Sequence, residues 1–152
     1  MPRRAAVLVL VVLFAFPAAV MAASRQATPG PDNLVGTVGP DTINGRAGKD
    51  TIRGRSGDDH LNGGVGNDTI SGDSGNDVII GGRGDDLLLG GSGNDRITGG
   101  PGADVIAGGS GRDVIRVRDG AVDQVTCGAA RDRVIADPQD EVARNCEVVQ
   151  RG

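Results

Sequence analysis

Gly54-Arg55-Ser56-Gly57-Asp58-Asp59-His60-Leu61-Asn62 runs without a break into Gly63-Gly64-Val65-Gly66-Asn67-Asp68-Thr69-Ile70-Ser71 and then Gly72-Asp73-Ser74-Gly75-Asn76-Asp77-Val78-Ile79-Ile80. The three nonapeptides agree at four places: Gly first and fourth, Asp sixth, an aliphatic residue eighth. Followed outward in both directions, the unit G-x-x-G-x-D-x-U-x repeats from Gly36 to Arg116, nine copies with no insertion. The first Gly recurs as Gly36, Gly45, Gly54, Gly63, Gly72, Gly81, Gly90, Gly99 and Gly108. The fourth is Gly39, Gly48, Gly57, Gly66, Gly75, Gly84, Gly93, Gly102 and Gly111. The sixth is Asp41, Asp50, Asp59, Asp68, Asp77, Asp86, Asp95, Asp104 and Asp113. The eighth is always Ile or Leu, from Ile43 to Ile115.

Self-similarity at a fixed period is the sequence mark of a repeat architecture. Here each unit divides in two. The stretch through the Asp is too rich in Gly, Asn and Asp for a helix and favours turns. The last three residues, such as Thr69-Ile70-Ser71, alternate like a short strand, the aliphatic side chain pointing one way and its neighbours the other. One turn and one strand reverse the chain, so two units, eighteen residues, close a coil. Coils then stack with parallel strands about 4.8 Å apart. The expected fold is all-β: a right-handed parallel β-roll (β-solenoid) of nine nonapeptide units with a degenerate C-terminal cap.

Stacking places the sixth-position Asp residues above one another in the turns, where like charges repel. Two aliphatic side chains per coil are a thin core against the entropy of ordering eighteen Gly-rich residues. A cation between the turns resolves both difficulties. Calcium fits, since it takes six to eight oxygen ligands and accepts carboxylates mixed with backbone carbonyls. Zinc wants His or Cys, and His60 is the only His; magnesium demands a stricter octahedron.

The repeat resembles that of the RTX-type (repeats-in-toxin) calcium-binding proteins, and the tail is similar to that of small exported bacterial members. The resemblance covers Gly36 to Arg116. It implies calcium ions held between turns of neighbouring coils by the sixth-position Asp side chains and by turn carbonyls, including those of the fourth-position Gly residues. Pairing each turn with the one two units on gives about seven ions, four in one stack and three in the other.

The flanks complete a division of the chain. Residues 1–22 carry Arg3, Arg4, an apolar run from Ala5 to Val20 and Pro17, and are expected to be a cleaved signal peptide with Ala23 as the new N-terminus. The run of about 16 residues is shorter than the roughly 20 that a spanning helix needs. Residues 23–35, with Pro29, Gly30 and Pro31, are expected to be a linker or loose lead-in. Residues 36–116 are the calcium-binding roll, and 117–152 the cap, where the register slips by one. There Asp-x-Val survives as Asp123 with Val125, Asp132 with Val134 and Asp140 with Val142, units expected to keep the strand and lose the calcium turn. Cys127 and Cys146, the only cysteines, are about one coil apart in an exported chain, which points to a disulfide. No C-x-x-C or nearby His supports a redox pair or a thiolate metal site.

Twenty-seven Gly, no Trp or Tyr, and only Phe14 and Phe16 as aromatics exclude a conventional large core. The formal charge of −4 argues against nucleic acid as a partner. His60 should be a solvated surface residue, and Ser56, Ser71, Ser74, Ser92 and Ser110 all sit in repeat positions, so no nucleophile stands out and the protein is expected not to be an enzyme. Asn67-Asp68-Thr69 matches a glycosylation acceptor only because the repeat generates it. Val78, Ile80, Leu87, Leu89, Val105 and Val114 are apolar at outward strand positions. The expected function is a secreted, extracellular calcium-binding repeat protein, possible at a cell surface, that folds on binding calcium and serves as a scaffold or binding module. A calcium-dependent adhesion protein using those apolar positions is the alternative, and an unrecognised extracellular hydrolase the third. No membrane span is expected once the signal is removed, and the sequence names no protein or surface partner.

Overall fold

The computed structural model describes residues 24–152, so the expected signal peptide lies outside the described residues. Fifteen strands follow one another with no helix among the described residues. In chain order they are β1 (Ser24–Gln26), β2 (Asn33–Val35), β3 (Thr42–Asn44), β4 (Thr51–Ser56), β5 (His60–Val65), β6 (Thr69–Ser74), β7 (Val78–Arg83), β8 (Leu87–Ser92), β9 (Arg96–Thr98), β10 (Val105–Ser110), β11 (Val114–Arg116), β12 (Gln124–Ala129), β13 (Arg133–Ala136), β14 (Glu141–Val142) and β15 (Val148–Arg151).

Odd strands form an eight-stranded sheet and even strands a seven-stranded one. Every pairing is parallel, and through the repeats each residue faces its equivalent eighteen positions on, as in Ile52↔Ile70 and Ile70↔Leu88. The molecule is therefore the expected parallel β-roll. Several strands are six residues rather than three, because pairing continues through the first-position Gly to the second and third positions, as in Gly64↔Gly82 and Val65↔Arg83.

The core is a double column one residue wide, formed by the eighth-position residues from Ile43 to Ile115, each at most 1% exposed. Val125, Val134 and Val117 extend it into the tail. Parallel strands buried on one face need only one aliphatic residue each when the other face is solvated.

The stack begins earlier than the nine copies. Residues 24–35, expected to be a linker or loose lead-in, carry β1 and β2, which pair with β3 and β4. Ala27-Thr28-Pro29-Gly30-Pro31-Asp32-Asn33-Leu34-Val35 is a degenerate repeat that keeps the fourth Gly, the Asp and the aliphatic residue, with Ala27 buried in place of the first Gly.

At the other end, one extra residue in the turn between β11 and β12 changes the pairing interval to nineteen, as in Ile106↔Val125 and Ile115↔Val134. The insertion falls in a turn, where it costs no strand register. Cys127 and Cys146 are disulfide bonded, tying the end of β12 to the loop after β14. No helix of the described residues is long and apolar enough to cross a membrane.

Candidate metal centre

Each sixth-position Asp immediately precedes a strand, and its side chain turns inward. Asp41, Asp50, Asp59, Asp68, Asp77, Asp86, Asp95, Asp104 and Asp113 are all buried, at no more than 2% exposure. Two ladders result, one at each edge of the roll. Within each, an Asp backbone N–H donates to Oδ1 of the Asp one coil on: Asp41 to Asp59, Asp50 to Asp68, Asp59 to Asp77, Asp68 to Asp86, Asp77 to Asp95, Asp86 to Asp104 and Asp95 to Asp113, at 2.7–2.9 Å.

The second oxygen is left over. Oδ2 of Asp50, Asp59, Asp68, Asp77, Asp86, Asp95, Asp104 and Asp113 is buried with no hydrogen-bond partner. A buried carboxylate oxygen without a partner carries its full desolvation penalty. The first-position Gly residues make room for it. A Cβ added at Gly45, Gly54, Gly63, Gly72, Gly81 or Gly90 would overlap that oxygen five residues on, and also crowd a carbonyl of the next coil.

The fourth-position Gly residues serve the turn instead. From Gly48 to Gly111 their φ lies between 118° and 145°, a region that favours glycine. Their carbonyl oxygens accept no hydrogen bond within the described residues, apart from Gly39, which takes one from Thr37 Oγ1. Turn carbonyls and carboxylate oxygens are thus both left without hydrogen-bond partners among the described residues.

Electrostatics leave the bare ladder frustrated. Burial pushes Asp59, Asp77, Asp86, Asp95 and Asp113 up to about 6, and Asp104 to about 7. The N–H received from the preceding Asp opposes this, and a neighbouring ladder Asp adds to it, as Asp95 does for Asp77. Asp68 is raised for the same reasons.

Among the described residues, no three His, Cys, Asp or Glu side chains converge as a metal cluster. A cation here needs backbone oxygens to complete its shell. Carboxylate oxygens and turn carbonyls that both lack hydrogen-bond partners are the two oxygen types that calcium accepts together.

Asp41 differs from the rest, since the Thr37 N–H and hydroxyl both donate to its carboxylate. The structure also adds residues that the repeat count omitted. Asp32 belongs to the first coil, where its N–H donates to Asp50 Oδ1 and its own Oδ2 accepts from Thr28. Asp123 and Asp132 extend the two ladders by accepting from Asp104 and Asp113, and their Oδ2 atoms are likewise buried and unpartnered. The surviving Asp-x-Val pairs were the signal for these positions. What differs in the tail is the first position, where Val117 and Cys127 put side chains into the core instead of Gly. His60 is exposed on β5, directly after Asp59, with its backbone N–H donating to the Asp41 carbonyl.

The family model for the RTX calcium-binding nonapeptide repeat, built of four copies, matches residues 26–61, 53–88 and 80–115, together more than half of the chain. Its first match begins at the degenerate coil before Gly36. No curated protein matches the sequence.

Proposed function

Because this chain belongs to the family of RTX calcium-binding nonapeptide-repeat proteins, we propose that it is a secreted protein whose roll folds on binding calcium and then serves outside the cell as a non-catalytic scaffold or binding module. The carrying observation is the unbroken series of buried, unpartnered Oδ2 atoms from Asp50 to Asp113, each in space kept open by a first-position Gly. Asp50, Asp59, Asp68, Asp77, Asp86, Asp95, Asp104 and Asp113 would hold the ions together with turn carbonyls of the fourth-position Gly residues. Bound calcium supplies positive charge and oxygen coordination, which removes the repulsion along each ladder and the penalty on the orphaned oxygens. About seven ions correspond to one per pair of stacked turns. Export rests on residues 1–22, and on the disulfide, which belongs to oxidising compartments.

The test is far-ultraviolet circular dichroism of residues 23–152, titrated with calcium and separately with magnesium. A cooperative change from coil to β signal with calcium alone is expected. A spectrum already β-rich in chelator, or indifferent to calcium, would overturn the proposal.

A second reading rests on Ile80, Leu87, Leu89 and Val105, which stay 37–45% exposed on the sheet faces. They would give a calcium-dependent adhesion protein an apolar contact. A partner captured in calcium by the native chain, and lost on changing Leu87 and Leu89 to Ser, would favour it.

A further inference from the structure

The formal charge of −4 misrepresents the surface. Of the twenty acidic residues, twelve are buried Asp side chains: the nine of the repeats with Asp123, Asp132 and Asp140. Outside the interior, from residue 27 onward, thirteen exposed Arg and Lys side chains stand against eight acidic ones. Once the ladders are neutralised, the outer surface carries an excess of five positive charges. The net charge of the whole chain therefore does not describe the charge that a partner meets at the surface.

The excess is concentrated on one face. Arg96 on β9, Arg116 on β11 and Arg133 on β13 point outward from three adjacent strands of the eight-stranded sheet, with Arg112 and Arg131 in the turns leading into β11 and β13. Arg96, Val114 and Arg133 form one column, while Arg116 sits in the next beside Thr98 and Ile135. At about 4.8 Å per strand, Arg96 and Arg133 stand roughly 10 Å apart across β11, with Arg116 two residues along that middle strand. Among the described residues, Arg96, Arg112, Arg116 and Arg131 make no ion pair or side-chain hydrogen bond, and Arg133 bonds only Gln150.

Exposed acidic groups elsewhere are mostly engaged. Asp58 accepts from Asn76, Asp85 from Ala103, Asp119 from Gly102 and Asp137 from Gly120, while Glu147 accepts from the Asp132 N–H and so sits at the end of the arginine face, next to Arg131 and Arg133. With eight acidic residues outside the interior against thirteen exposed cations, a second copy offers these arginines less opposing charge than a polyanionic chain does. Nucleic acid is disfavoured by the lack, among the described residues, of any aromatic side chain for base stacking and of any helix to enter a groove.

We infer that Arg96, Arg112, Arg116, Arg131 and Arg133 form a binding face for an extended anionic polysaccharide lying along the roll axis, engaged when calcium has neutralised the ladders. Arg suits this role because its planar fork pairs with carboxylate, sulfate or phosphate groups and stays charged. The inference rests on the calcium-loaded roll proposed above.

The test measures binding of the exported chain to fluorescent dextran sulfate, carboxymethyl dextran, neutral dextran and duplex DNA, with circular dichroism on each sample. In calcium, both anionic dextrans should bind, with affinity falling steeply with salt, and neutral dextran should not. Changing Arg96, Arg116 and Arg133 together to Ser should weaken binding at least about tenfold, and Lys in their place should restore it. Removing the same number of charges at Lys49, Arg53 and Arg83 should change affinity by less than about twofold. Equal losses from both triples, duplex DNA bound as tightly as dextran sulfate, or an arginine-dependent dimer would each overturn the inference. Equal binding in chelator would overturn the calcium linkage. A chain that shows no calcium-driven β signal refutes the calcium reading instead, and the spectra separate that outcome from loss of the arginine face.

Discussion

At the scale of single residues, the protein turns on a pairing between a glycine and a carboxylate five positions later. Gly72 has no side chain because Asp77 Oδ2 and the Gly90 carbonyl occupy the space a Cβ would need. Asp77 could swing aside, but the backbone oxygen could not. Gly72→Ala should therefore raise the calcium midpoint of folding at least about tenfold or abolish folding, since strained or overpacked sites cost on the order of 1–3 kcal/mol. Ser74→Ala, at an exposed position two residues away, should leave the titration unchanged. Circular dichroism of the two variants checks this, and equal effects would contradict it. The same carboxylates fix the response to pH. Asp59, Asp77, Asp86, Asp95, Asp113 and Asp123 are pushed up to about 6, and Asp104 to about 7, from an ordinary 3.8. The folded ladder thus binds more protons than the unfolded chain between about pH 4 and 7. Stability without calcium must fall as pH rises through that window. In chelator, acidification from pH 7.5 to 4.5 should increase β signal, while in calcium it should raise the midpoint, because protons and calcium compete for the same oxygens. A calcium-free chain that loses β structure on acidification would refute the ladder.

At the scale of elements, each strand is held by its register with the equivalent strand one coil away, and the last coils lack the Gly-Asp device in full. Val117 and Cys127 fill first positions, and the disulfide joins Cys127 to Cys146 across a separation of 19 residues. Closing a loop of that size should contribute about 3 kcal/mol. Reduction, or Cys146→Ser, should lower the denaturant midpoint in calcium accordingly, with loss beginning in the cap. An unchanged midpoint would show that the last coils hold without the bridge. Most of the element order was legible in the sequence, because four fixed positions specify turn, strand and inward face together. The first coil was missed: Ala27 replaces the marker Gly and two prolines resemble a linker, although Gly30, Asp32 and Leu34 keep the register. The tail was half legible. Asp-x-Val marked the strands, but the burial of Asp123 and Asp132 depends on a turn that absorbs an extra residue, which pattern alone does not reveal. Net charge does not show the surface balance for a related reason: composition counts buried and exposed carboxylates alike.

At the scale of the whole molecule, each coil touches only its neighbours, so stability is a sum of weak units and the interfaces between them. The core supplies two aliphatic side chains per coil, and the ladders supply repulsion until a cation arrives. Such a stack should order cooperatively, and a defect should matter according to its place. Asp77 and Asp86 sit mid-stack with orphaned oxygens, each coupled by hydrogen bonds to a coil on either side. Asp41 lies nearer the end, and Thr37 already satisfies its carboxylate. Asp77→Ala or Asp86→Ala should therefore raise the calcium midpoint and flatten the transition, because the stack is divided into two shorter blocks. Asp41→Ala should shift the midpoint less and leave the steepness intact. Calcium titrations of the three variants, followed by circular dichroism, decide the matter. Equal effects at centre and edge would mean that the ions act one by one, without coupling through the coils. A graded effect would tie the repeat's regularity to cooperativity, since every interruption in the ladder would then cost more than its own site.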